Sequence, residues 1–560
     1  MPHRDPPASP LLEFKPKLIS MLREGYRFQD FRVDVMAGLT VAIVALPLSM
    51  AIAIASGVGP ERGLFTTVIG GFLVSMLGGS RFQIGGPAGA FIVLVSACVA
   101  QIGIEGLILA TMLSGLFLIA LALFRAGTYI LFIPYPVTIG FSAGIAVIIF
   151  ASQIKDLFGL TLTTAEPGEL VEKLETLWSV HATASPAAMG VSLGTLLLIV
   201  AIKRLSPLAP NLLIAVAAAA AVVAALDLPV QTIASRFGAL PRMLPQPTLP
   251  PVSVATLTAA LPWAISFTLL GAIESLLAAL VADGMSGRRH RPNAELLAQG
   301  IANIGSGLFG GFCVTGTIAR TATNVRAGSR GPVSGMLHAL FVLAFMLIAA
   351  PLAGYIPLAA LAAMLAVVAW HMAEKTAIWQ LLRSSRADAV VLLATFLLVV
   401  LRDLPSGIVV GFALGGLVFI QRMSETSTFR PSDDDTATAP KGCVVYHLHG
   451  PYFFGASARL STLLDKVTEQ PRAFVMDFTD VPFVDSTGAR AFELLSHKIA
   501  RKGGRLFLTA TRPEVKQALI HAGVTPPQVQ FLPDLTAVEQ ALQPLDATGE
   551  SLPTLQQISA

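Results

Sequence analysis

Fourteen apolar stretches between residues 35 and 421 restrict this chain to the few folds that cross a lipid bilayer many times. A helix needs about 20 apolar residues to cross the hydrocarbon core. Measured against that length, spans fall near 35–55, 63–77, 86–101, 104–124, 132–150, 187–203 and 209–226. A second set falls near 262–282, 294–312, 318–328, 333–350, 354–371, 389–402 and 405–421. The whole chain of 560 residues is 54% hydrophobic and 13% charged. A soluble chain carries about 25% charged residues, so the apolar surplus must face lipid. The expected fold is an α-helical polytopic membrane protein with 14 spans in two sets of seven.

Two of those stretches are too short or too polar to span alone. The stretch at 86–101 opens with Gly85-Gly86-Pro87-Ala88-Gly89, and that at 318–328 with Thr315-Gly316-Thr317-Ile318-Ala319-Arg320. Each is the third of its set of seven. Paired interrupted spans at matching positions are the sequence signature of an inverted-repeat transporter with its site near the midplane. The plainer alternative for Gly85–Gly89 is a contact of small residues between two helices.

Loops after even-numbered spans hold twelve Lys and Arg, and loops after odd-numbered spans hold six. Basic residues gather on the cytoplasmic side of a membrane. The even side, with the basic segment 1–30, is therefore expected in the cytoplasm, and an even span count places the C-terminus there too. No apolar run in the first thirty residues reads as a cleavable signal. Cys98, Cys313 and Cys443 are widely spaced and suggest neither a disulfide framework nor a zinc site. The net charge of +4 gives no reason to expect nucleic acid, and no cofactor or metal is expected.

After the transport domain at 31–421 the composition changes. Residues 422–441 are polar and read as a linker, 442–545 as a small α/β domain, and 546–560 as a flexible tail. Short apolar runs at Val444–Tyr446, Phe474–Met476 and Arg505–Leu508 alternate with helical stretches near 456–468, 488–501 and 513–522. Nothing in this domain suggests an enzyme. Its most distinctive string is Val484-Asp485-Ser486-Thr487-Gly488, where a strand gives way to a helix. A Ser or Thr there could cap the helix. Asp485, Ser486 and Thr487 could equally form a regulatory point for phosphorylation or anion contact at a helix N-terminus.

These strings resemble a known family. Asp34-Val35-Met36-Ala37-Gly38-Leu39-Thr40-Val41 and Leu46-Pro47-Leu48-Ser49-Met50-Ala51 resemble the first-span signature of the sulfate permease family, solute carrier family 26. Gly85–Ala88 resembles the family's third-span entry. Glu295-Leu296, Gln299–Asn303, Gly310-Gly311 and Arg320–Asn324 resemble its ninth-to-tenth-span region, and Asp485–Gly488 the core of a STAS domain. The resemblance implies a core domain moving against a gate domain, a homodimer, a bacterial inner-membrane location and a regulatory STAS domain with a cytosolic protein partner.

The physics of broken helices agrees with it. Two half-helix N-termini meeting near the bilayer centre present free N–H groups and positive dipole ends to an anion. Here the donors would come from Ala88, Gly89, Ala90 and Phe91, and from Gly316, Thr317, Ile318 and Ala319 with the Thr315 and Thr317 hydroxyls nearby. Ser49 is carried as a further substrate contact through the first-span signature. The family places an arginine at the Arg320 position facing the cavity, while an ordinary reading makes it an interfacial arginine.

Glu274 lies mid-span in Leu269–Leu277 with no basic residue within four positions. An ionised carboxylate there costs about 2.5–3.5 kcal/mol to insert, and a protonated one costs less. Glu274 is thus the candidate for picking up a proton as the anion binds. The alternative is a structural glutamate bonded to a neighbouring helix.

Sodium-coupled bicarbonate members of the family tend to carry Asp at the Glu274 position and Thr at the Ala278 position. Their replacement argues against a sodium cage. Leu48 and Ile52 make the first-span wall apolar, which suits a C4-dicarboxylate such as fumarate or succinate alongside sulfate. Asp283-Gly284-Met285 and Ile318–Gly328 resemble the dicarboxylate branch. Rival readings are a sodium-coupled bicarbonate symporter, an exchanger or channel, a nucleobase permease, and a membrane-anchored STAS sensor.

Overall fold

The computed structural model describes residues 13–542, apart from 131–133, 163–166, 168, 207–208, 403, 432–442, 455–472 and 502. The chain forms two compact units, Met1–Gly415 and Gly416–Ala560.

Helices occupy each position where the sequence suggests a span. They are α1 (Phe28–Ala55), α2 (Pro60–Phe65) continuing into α3 (Gly71–Leu77), α4 (Ile92–Leu123), α5 (Tyr135–Phe158), α6 (Pro186–Leu205) and α7 (Asn211–Leu226). The second set is α8 (Val254–Ser286), α9 (Pro292–Leu308), α10 (Ile318–Arg326), α11 (Val333–Ala353), α12 (Leu358–Met372), α13 (Arg386–Leu401) and α14 (Leu404–Thr426). Among the described residues, eight helices are long and apolar enough to cross a membrane. The expected third and fourth spans run together in α4, parted only by Gly103, whose φ of 70° breaks the helical path.

Local chemistry marks many of the ends. Pro60, Pro186 and Pro292 open their helices at the first turn, where a missing N–H costs nothing. The Ser253 hydroxyl accepts from Thr256 N, and the left-handed Gly159 and Gly287 close α5 and α8.

The helices pack in two groups, as the core and gate of the family require. The first joins α1 to α4 with α8 to α11, and the second joins α5 to α7 with α12 and α13. Small residues bring helices close, as lipid-embedded helices require. A Cβ on Gly115 of α4 would lie 2.6 Å from the Gly300 carbonyl of α9, and one on Gly300 would lie 2.6 Å from the Gly115 carbonyl.

The second unit holds a five-stranded sheet in the order β3 (Thr428–Pro431), β4 (Cys443–His449), β5 (Ala473–Asp480), β6 (Arg505–Thr509), β7 (Val529–Leu532). The first pair is antiparallel and the others are parallel. Helices α15 (Ser486–Arg501), α16 (Pro513–His521) and α17 (Leu535–Leu542) accompany it. Its core includes Tyr452, Phe478, Phe492 and Leu508. Two boundaries differ from the sequence reading: α14 runs to Thr426 and β3 begins at Thr428, both inside the segment read as linker. The helical stretch read near 456–468 lies outside the described residues.

Candidate functional site

The two glycine-rich entries meet in a short antiparallel ladder. β1 (Gly85–Gly86) pairs with β2 (Thr315–Gly316), Gly85 opposite Gly316 and Gly86 opposite Thr315. Pro87 has no N–H to extend the ladder, and the chain turns into a 3-10 turn, Gly89–Phe91, that leads into α4. On the other side Thr317 precedes α10. Thr317 is fastened by its N–H to the Ile84 carbonyl at 2.9 Å and by its hydroxyl to the same oxygen at 3.2 Å. The Thr315 hydroxyl donates to the Gly271 carbonyl of α8 at 3.1 Å.

This arrangement selects among the predicted donors. The Phe91 N–H donates to the Ala88 carbonyl at 3.1 Å, and the Thr317 N–H to Ile84. The N–H groups of Ala88, Gly89 and Ala90, and of Ile318, Ala319 and Arg320, have no hydrogen-bond partner among the described residues. Each half-helix therefore offers three uncommitted donors. Ala319 is exposed and Gly89 and Ile318 are half-buried. A Cβ on Gly89 would lie 3.1 Å from Ile149 Cδ1 and 3.7 Å from Met372 Sδ. Those side chains belong to α5 and α12, so the donors sit where the two helix groups meet.

Arg320 is 1% exposed. Its Nη2 donates to Ser49 Oγ at 3.1 Å and to the Pro87 carbonyl at 3.5 Å. Its Nε and Nη1 have no partner among the described residues. The Ser49 hydroxyl also lies 2.7 Å from the Ala45 carbonyl and 2.7 Å from Thr67 Oγ1. Ser49, expected as a substrate contact, braces Arg320 and the first helix. Arg320 lies within α10 and is fully enclosed, unlike an interfacial arginine.

His338 is fully buried, with neither ring nitrogen bonded among the described residues. A Cβ on Gly71 would lie 2.9 Å from the Gly85 carbonyl and 3.7 Å from His338 Cε1, which places this imidazole behind the ladder. The available signal was a histidine six residues into an apolar stretch. Asp283 pairs with His290, Oδ2 to Nδ1, at 2.7 Å.

Glu274 is 7% exposed, and its carboxyl has no hydrogen bond or ion pair among the described residues. It lies one turn beyond Gly271, the residue that receives the Thr315 hydroxyl and stands within 3.6 Å (as a Cβ) of the Phe91 ring. Its helix packs against both β2 and α10. The unpaired carboxyl thus lies on the helix that packs against one of the two donor-bearing ends.

Other polar residues of the family strings build the frame. Asn303 donates to the Val314 carbonyl and accepts from the Val314 N–H, both at 2.9 Å, which fixes the approach to β2. Glu295 accepts from Ser80 N at 2.9 Å and from Gln299 Nε2 at 3.3 Å. Gln83 donates to Ser275 Oγ at 2.9 Å.

In the second unit Asp485, rather than a serine or threonine, caps α15. Its Oδ1 accepts from Gly488 N at 2.6 Å and its Oδ2 from Phe454 N at 3.2 Å. Ser486 and Thr487 are exposed in the first turn.

Facing broken helices where two packed helix groups meet, with a separate five-stranded α/β unit, make the architecture of a membrane transporter. Residues 31–395 match the Sulfate permease family and residues 436–528 the STAS domain. The chain belongs to the sulfate permease family. It is 38% identical over 513 residues to YvdB of Bacillus subtilis, a protein named provisionally as a sulfate transporter, covering 90% of this chain and 95% of the relative. It is 28% identical over 522 residues to the bicarbonate transporter BicA of Picosynechococcus, covering 88% and 91%. Among solved structures, murine Slc26a9 in the inward-facing state superposes with a TM-score of 0.83 at 20% identity, over 97% of this chain and 96% of that one. The transmembrane domain of a cyanobacterial BicA gives 0.62 at 32% identity, over 68% and 98%.

Proposed function

We propose that the chain is a secondary active symporter that carries a small anion together with a proton across a bacterial inner membrane. The carrying observation is the facing pair of half-helix ends, with six uncommitted N–H donors, beside the unpaired Glu274 carboxyl. The anion takes the N–H groups of Ala88, Gly89 and Ala90 and of Ile318, Ala319 and Arg320, and Arg320 adds positive potential from behind. Glu274 takes a proton as the anion enters, so the loaded core carries less net charge through the low-dielectric midplane. Core and gate then move against each other and open the site to the other side.

The anion is a C4-dicarboxylate such as fumarate or succinate, or sulfate. Leu48, Ile52, Phe91 and Phe267 are all buried in this part of the core, and such side chains suit the carbon skeleton of a dicarboxylate. Sodium-coupled bicarbonate transport is the second reading, favoured by the likeness to BicA. The chain works as a homodimer with both termini in the cytoplasm, and its STAS domain regulates transport through a cytosolic partner or modification at the exposed Ser486 or Thr487.

The test is uptake into proteoliposomes of labelled fumarate, sulfate and bicarbonate, each with an inward proton gradient and, separately, an inward sodium gradient. Proton-driven uptake of fumarate or sulfate supports the proposal. Sodium-driven uptake of bicarbonate alone replaces it with the second reading.

A further inference from the structure

A groove of about 990 Å³ opens on the outer side of the second helix group, between α5, α6 and α12. Along most of its length it is apolar, lined by side chains such as Phe158, Met189 and Leu193, with Gly190 leaving room between them. From Met189 to Arg204 it follows α6 for about 22 Å at the helical rise of about 1.5 Å per residue. That exceeds the ~15 Å of hydrocarbon in one leaflet. At its far end the chemistry changes to Lys203, Arg204, Trp370 and His371.

The hydrogen bonds at that end leave its positive charge available. His371 Nδ1 lies 2.7 Å from the Val367 carbonyl, which can only accept, so Nδ1 carries the proton. Nε2 is then the acceptor for the Lys203 ammonium at 2.8 Å. Lys203 keeps two further N–H donors. Neither it nor the exposed Arg204 has a carboxylate partner among the described residues. Lys375 adds a third cation, 3.7 Å over the Trp370 ring. An exposed tryptophan beside cations is the side-chain set found where hydrocarbon meets headgroups.

We propose that this groove is a binding site for one anionic glycerophospholipid. An acyl chain lies along Leu193 and Met189, and the phosphate rests on Lys203 and Arg204. A long apolar channel ending in uncompensated cations matches a molecule that is apolar along its length and anionic at its head. A neutral lipid would leave the charged end unanswered.

Native mass spectrometry of the full-length protein tests this, with phosphatidylglycerol and phosphatidylcholine of identical acyl chains titrated against wild type and variants. Wild type should hold phosphatidylglycerol preferentially. Lys203→Ala with Arg204→Ala should lower that affinity about thirtyfold, at about fivefold for each charge removed near the headgroup level. Arg383→Ala, which removes a cation elsewhere, should leave it unchanged. Leu193→Trp, which fills the apolar part and keeps both charges, should also weaken binding and serves if the double variant folds poorly. Equal binding of the two lipids to wild type, or an equal loss in Arg383→Ala, overturns the proposal. So does a lipid-free wild-type dimer that Leu193→Trp converts to monomer, because the groove would then be an interface between copies.

Discussion

At the residue scale the proposed site contains buried polar groups with incomplete bonding. Arg320 is enclosed yet only partly bonded, and Ser49 is the side chain that holds it. Removing that acceptor by Ser49→Ala leaves Nη2 with the Pro87 carbonyl at 3.5 Å as its one remaining partner among the described residues. A hydrogen bond to a charged group is worth about 1.5–3 kcal/mol. The variant should therefore unfold at lower temperature in detergent and require a higher anion concentration for half-maximal uptake. A variant matching wild type in both would show that Ser49 does not position Arg320. Glu274 and the two glycine-containing entries were legible in the sequence, because a lone carboxylate mid-span and a polar, glycine-containing interruption of an apolar run are local signals. The enclosure of Arg320, the commitment of Ser49 and the place of His338 were not, since each depends on a partner from a distant helix.

Elements carry the next level of the argument. The half-helix ends are held in register by contacts that sequence spacing does not reveal, such as Asn303 on Val314 and Thr317 on Ile84. Their frame depends on close helix crossings, and α4 meets α9 through the backbones of Gly115 and Gly300. Gly300→Ala drives a methyl group into the Gly115 carbonyl and must push the helices apart. Such overpacking costs about 1–3 kcal/mol, to be read as a lowered thermal midpoint, with reduced uptake because one set of donors leads directly into α4.

The tail offers a second element-scale prediction. Asp485→Ala removes the cap of α15 and costs about 0.5–2 kcal/mol. Hydrogen exchange over residues 486–501 of the full chain should accelerate while exchange in the transport helices stays unchanged. The sequence placed this helix start correctly but assigned the cap to the hydroxyl residues, because Asp, Ser and Thr stand side by side and all three cap well. Strand β3 escaped the sequence reading because its four residues end in a proline and carry no alternating pattern.

For the whole molecule, two helix groups with the donor ends between them provide the architecture of a transporter. The fold was legible because lipid leaves helices little alternative, and the apolar lengths and the paired interruptions alone pointed to it. The substrate was not, since the donors are backbone groups that any small anion could use and the selecting walls come from several helices. The central claim is that anion entry and Glu274 protonation are coupled. The most direct measurement is initial uptake of labelled fumarate into proteoliposomes, with the outside acidic or at equal pH, for wild type and Glu274→Gln. The account predicts that acid outside drives wild-type uptake and that Glu274→Gln loses this dependence while still exchanging anion at equal pH. An equal response of both proteins to the gradient would contradict it.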